Sequence, residues 1–67
     1  MDFKELVRGF TNSEVEVMTP GDMITGTLIS VNDASLMLKV PPVMYGPPGD
    51  VAIVPLRSVE FVRVLTD

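Results

Sequence analysis

Carboxylates dominate the reactive groups of this 67-residue chain: nine Asp and Glu stand against five Lys and Arg, and there is neither Cys nor His. That inventory removes thiolate and imidazole nucleophiles, the zinc sites built on them, and the usual switch near neutral pH. Carboxylates, hydroxyls, Lys4, Lys39 and Tyr45 remain, and none recurs at a spacing that would seat a nucleophile beside a base. Asp22, Asp33 and Asp50 each follow a Gly or Asn in a turn-like stretch, where an Asp side chain satisfies local backbone N–H groups. The carboxylates do not alternate as a calcium loop requires. Met18, Met23, Met37 and Met44 share no short period and read as packing side chains, not soft-metal ligands. Gly46 and Gly49 lie among prolines and open no helix, so they form no phosphate loop. The expectation is a protein that is not an enzyme and holds no metal or cofactor.

Among the basic residues, Lys39, Arg57 and Arg63 fall in the second half of the chain. Arg57 stands in a turn between two apolar runs, where a guanidinium can be presented to an anion. The net charge of −4 is nevertheless the wrong sign for a protein that coats phosphate backbones without selectivity.

The elements that must position these groups follow from periodicity. Phe3, Leu6, Val7 and Phe10 lie at offsets 0, 3, 4 and 7, predicting a helix over about 2–10 with Asp2 as its cap. Gly9 and the Thr11-Asn12-Ser13 run stop it. From Glu14 the period becomes two, with Val15 and Val17 on one face of a first strand. Thr19-Pro20-Gly21-Asp22 has the residue order of a type II turn. Met23–Val31 reads as a long second strand with a sharp bend at Gly26, and Asn32-Asp33 as a hairpin turn into a third strand over 34–40. Residues 41–50 hold four of the six prolines, so a connecting loop of polyproline II character is expected there, the alternative being a docking segment that uses Met44 and Tyr45 as exposed apolar contacts. A fourth strand over 51–54 ends at Pro55, Leu56-Arg57-Ser58 turns, and a fifth strand covers 59–65.

With 46% apolar residues and a mean hydropathy of +0.37, the chain has material for one core. A chain this short buries roughly 60% of its unfolded surface, and without disulfides or metal the missing stabilisation is expected from self-association. No apolar run approaches the roughly 20 residues of a membrane span. The first ten residues carry Asp2, Lys4, Glu5 and Arg8 where a signal peptide would be apolar. A cytoplasmic location with no membrane partner is the resulting expectation.

The stretch Gly26-Thr-Leu-Ile-Ser-Val-Asn-Asp-Ala-Ser-Leu-Met-Leu-Lys39 resembles, without a gap, the first motif of the Sm-like proteins, including their bacterial host-factor branch. It has a Gly in a bent second strand, apolar residues two and five places on, a polar turn and an alternating third strand. Residues 51–62 resemble the second motif, two short strands around a tight turn, and Val54–Val59 is also similar to short Sm-like proteins of sporulating bacteria. The resemblance covers nearly the whole chain. It implies a mainly β fold: a five-stranded, strongly bent antiparallel small barrel of the SH3 type with a short N-terminal helix, one domain over 1–67 with the barrel over 14–65. It further implies a homo-oligomeric ring of about five to seven copies, with RNA the family's ligand at the pore. The positions it points to are Arg57, Asn32 and Asp33 for RNA, with Asn32 standing where the family's turn usually carries Asp and Asp33 next to it, Val51, Ile53, Val59, Phe61, Val62 and Val64 for the subunit interface, and Gly26 for the bend. Where the family has an RNA-contacting Asn on the third strand this chain has Leu36, where the bacterial branch stacks an aromatic it has Ala34, and Tyr-Lys-His is replaced by Pro55-Leu56-Arg57. The reading of a different class is a structural or protein-interaction module with no nucleic-acid ligand. A monomeric SH3-like peptide binder comes third, since only four aromatic residues exist to line its groove.

Overall fold

A computed structural model describes residues 2–41 and 50–65. Helix α1 spans Phe3–Arg8 and is followed by five strands: β1 Glu14–Thr19, β2 Asp22–Val31, β3 Ser35–Val40, β4 Asp50–Pro55 and β5 Phe61–Val64, with a 3₁₀ turn at Leu56–Ser58 before the last. The strands form one antiparallel sheet in the order β4-β3-β2-β1-β5. The fold is therefore mainly β with a short N-terminal helix, as the sequence predicts. The hydrogen-bonded ladder leaves β4 and β5 as its two edges.

Alternation sorts the strands into two faces. Val15 and Val17 of β1, Leu28 of β2, and Leu36 and Leu38 of β3 are fully buried, joined by Val7, Val31 and Val54. Each fully buried Val or Leu contributes about 1.5–3 kcal/mol from water exclusion, and these supply the core.

Local chemistry explains the element ends. The Asp2 carboxylate accepts a hydrogen bond from the Glu5 N–H at 2.8 Å, the expected cap. The helix ends two residues before Phe10 and buries only Val7 of its predicted stripe; Phe3, Leu6 and Phe10 stay exposed. Asn12 takes a left-handed φ of 75°, which Asn tolerates better than most residues. There its N–H donates to the Leu28 carbonyl at 2.7 Å and Leu28 N–H donates to Ser13, stitching the connection to β2.

Four expectations are corrected. No described Gly has a positive φ, so the Pro20-Gly21 connection is not a type II turn. The Thr19 hydroxyl donates to the Asp22 carbonyl at 3.2 Å and the Met23 N–H to the Asp22 carboxylate at 2.8 Å, so side chains hold the hairpin ends. β2 contains a bulge: its register with β3 shifts between Leu28 and Ser30. Ile29 and Ser30 therefore both face out before Val31 returns inward, a break in alternation that turns the strand. Pro55 pairs with Ser35 as the last residue of β4 instead of breaking it, which an edge strand permits because no outer neighbour needs its N–H. β5 is shorter than predicted, Val59 and Glu60 lying outside it. Glu60 N–H donates to Met18 and Leu65 N–H to Glu14, which continues the pairing with β1 at both ends. Of the expected Pro-rich loop, residues 42–49, Met44 and Tyr45 among them, lie outside the described residues.

At the expected bend, a Cβ on Gly26 would sit 2.6 Å from the backbone carbonyl oxygen of Lys39. The approach of β3 onto β2 thus demands glycine, independent of φ.

Candidate functional site

Three elements distant in sequence meet at the β2–β3 turn. Leu56 N–H donates to the Ala34 carbonyl at 2.9 Å, bringing the 3₁₀ turn and hence the Arg57 backbone beside Asn32–Ala34. From the other side, Lys4 pairs with the Asp33 carboxylate and the Arg8 guanidinium donates to the Val31 carbonyl at 3.3 Å. The hydrogen bond and charge of Lys4 lower the Asp33 pKa below its ordinary value, and Asp33 in turn raises that of Lys4.

These contacts give the three RNA-candidate residues different duties. The Asn32 side-chain oxygen accepts from the N–H groups of Ala34 and Ser35, both at 2.8 Å, and from the Ser35 hydroxyl at 3.3 Å. It shapes the turn as an Asx motif. Asp33 is held by Lys4. Arg57 is exposed and makes no side-chain hydrogen bond or ion pair with another described residue. It is the member of the trio whose charge is uncommitted among the described residues. Replacing Asn32 by alanine removes the turn's acceptor and should cost about 1–2 kcal/mol, while Asn32→Asp keeps it. A thermal melt checks this: the alanine variant should melt lower by roughly 4–16 °C, the aspartate variant close to the parent.

The interface candidates separate by face. On β4, Val51 and Ile53 point outward with 52% and 63% of their surface exposed, while Ala52 and Val54 pack inward. On β5, Phe61 is 44% exposed and stands beside outward-facing Arg63, which pairs with Glu16 at 3.3 Å and lies 6.0 Å from the Phe61 ring centre. Val62 and Val64 pack against the core, and so does Val59, which precedes the strand. The predicted interface residues thus split into Val51, Ile53 and Phe61 at two open edges and Val59, Val62 and Val64 beneath one of them.

Among the described residues no group of three acidic side chains could hold a metal ion, and no helix is long and apolar enough to cross a membrane. No protein family, curated protein or solved structure matches the chain. Lys4 and Arg8 escaped the sequence reading: their partners lie 29 and 23 residues away, a separation at which only the folded topology, not periodicity, brings groups together.

Proposed function

We propose that this chain is the subunit of an Sm-like homo-oligomeric ring that serves as a binding scaffold. The observation that carries this reading is the pair of open edges, β4 and β5, at opposite ends of one sheet, each with exposed large apolar side chains. Unpaired edges with apolar flanks invite strand addition, and a soluble monomer would protect them with charge or cover. Pairing β4 of one copy with β5 of the next keeps Val51 and Ile53 on the same face as Phe61 and Arg63, because alternation must run in phase across the joint. Such a head-to-tail contact removes every edge only if it closes on itself. The small barrel belongs to the same proposal, with the sheet of each subunit curling about Gly26 and the β2 bulge. Static light scattering tests it: the mass should be a fixed multiple of 7.3 kDa at micromolar concentration, and a monomer would sink the reading.

Closure would repeat the Arg57 turn once per subunit around an axis, concentrating one uncommitted cation into a rim on an otherwise acidic protein. That rim favours RNA as ligand. Asn32 and Asp33 are occupied by the turn itself and by Lys4, and Leu36 is buried, so no described side chain at this turn offers base-edge readout or stacking. Binding should therefore be weak, indifferent to sequence, and steeply salt-dependent. Arg57→Ala should flatten the salt slope, since each released phosphate contact removes counterion release. Fluorescence anisotropy with U-rich and A-rich oligonucleotides decides between the two readings: no binding at tens of micromolar leaves the protein-interaction scaffold.

A further inference from the structure

Three of the five basic residues come from distant parts of the chain to the β2–β3 turn. Lys4 pairs with Asp33, and Arg8 donates to the Val31 carbonyl at 3.3 Å, a contact that uses one of the five N–H donors of a guanidinium. Arg57 follows Leu56 and Asp33 precedes Ala34, the two partners of a 2.9 Å backbone hydrogen bond, so the Arg57 backbone reaches the same turn. The other two cations stand elsewhere, Arg63 of β5 against Glu16 and Lys39 on β3.

Asp33 is the carboxylate that meets them. The hydrogen bond and charge of Lys4, with the charge of Arg8 adding less, hold its carboxyl below the ordinary range. Asp2, the other carboxylate whose charge acts on Lys4, caps the helix through the Glu5 N–H. The turn itself is held by Asn32, which accepts from Ala34 and Ser35, and not by Asp33, whose side chain is 90% exposed. An ion pair so open to water adds little to folding. Its larger effect is on the surface charge beside Arg57, from which it withdraws the ammonium of Lys4.

We infer that Asp33 is an internal competitor for phosphate, its carboxylate occupying Lys4 and holding that side chain back from a nucleic-acid strand bound at Arg57. With RNA as the ligand, the reading on which this rests, Asp33 opposes binding instead of contributing a contact. Neutralising it frees Lys4 for one further phosphate in each subunit. On a single strand one such contact steepens the salt slope by about 0.7, which is about fivefold in affinity for a tenfold drop in salt.

The test is fluorescence anisotropy of the full chain with a short U-rich oligonucleotide across about a tenfold range of salt. Asp33→Asn, which leaves the Asn32 acceptor of the turn in place, should bind about fivefold tighter at the low-salt end and with a steeper slope. Adding Lys4→Gln to it should return affinity to that of the parent, because the freed lysine supplies the gain. Asp22→Asn removes the same charge at the far end of β2 and keeps an acceptor for the Met23 N–H, so it should bind like the parent. If the parent binds and Asp33→Asn binds no tighter, if the gain survives in the double variant, or if Asp22→Asn gives an equal gain, Asp33 is not a competitor while RNA binding itself stands. If neither the parent nor Asp33→Asn binds at tens of micromolar, the RNA reading falls and the role of Asp33 falls with it.

Discussion

Gly26→Val should strongly destabilise this fold. The first added atom would lie 2.6 Å from the Lys39 carbonyl oxygen and 3.5 Å from the Leu38 Cβ. A backbone carbonyl inside a ladder cannot swing away as a side chain can, so β3 must separate from β2 or the bulge must shift. Overpacking in a well-packed region costs about 1–3 kcal/mol, and more where backbone must move; about 3 kcal/mol or more is expected here. A chain of this size has only a few to about 10 kcal/mol of stability in total, and its melting temperature should fall by at least roughly 12 °C. Gly21→Ala supplies the control, since nothing lies within 4 Å of its Cβ and its φ is not positive. It should melt at or slightly above the parent temperature. Circular dichroism at one protein concentration measures both, and equal melting of the two variants would show that the strand approach at Gly26 is not needed.

That close approach was legible in the sequence as a glycine inside an otherwise β-branched and apolar run, whereas the bulge three residues later was not. A bulge changes which face Ile29 and Ser30 occupy without changing their types, and an apolar Ile reads the same whether it faces in or out. The buried face was legible for a related reason: Val15, Val17, Leu36 and Leu38 alternate with more polar or less buried neighbours over stretches long enough to distinguish a period of two. The Pro20-Gly21 turn misled because the residue order that favours type II also fits a turn with negative φ at both positions. Pro20 excludes the primed turns that two-residue hairpins prefer, leaving Thr19 and Asp22 to close the turn through their side chains.

The site was legible unevenly. Arg57 in a turn, and Asn32-Asp33 in another, could be recognised separately; their meeting depends on the Leu56–Ala34 hydrogen bond, which no local pattern encodes. Of the apolar positions at offsets 0, 3, 4 and 7 only Val7 is buried, and Lys4 and Arg8 also reach the β2–β3 turn. In the sequence Lys4 and Arg8 count only as charges where a signal peptide would be apolar, and their partners became visible only with the topology.

If the chain assembles as the proposed ring, Ile53→Lys and Phe61→Lys should each yield monomers. In a single chain both side chains are largely exposed already, 63% and 44%, so lysine there removes little intramolecular packing and the melting curve of the subunit should move modestly. Against a neighbouring strand the same lysine places an ammonium in the joint, the device by which natural edge strands refuse partners. Light scattering should therefore report about 7.3 kDa for either variant alone. The mixture distinguishes a head-to-tail joint from a symmetric one. A chain carrying Ile53→Lys keeps an intact β5 edge, and one carrying Phe61→Lys keeps an intact β4 edge, so an equimolar mixture contains one sound joint per pair and should reach twice the subunit mass and stop. A symmetric contact between two β4 edges would be spoiled only by the first substitution, and one between two β5 edges only by the second. If neither variant lowers the mass, or if the mixture remains monomeric, β4 and β5 are not the surfaces through which the chain assembles.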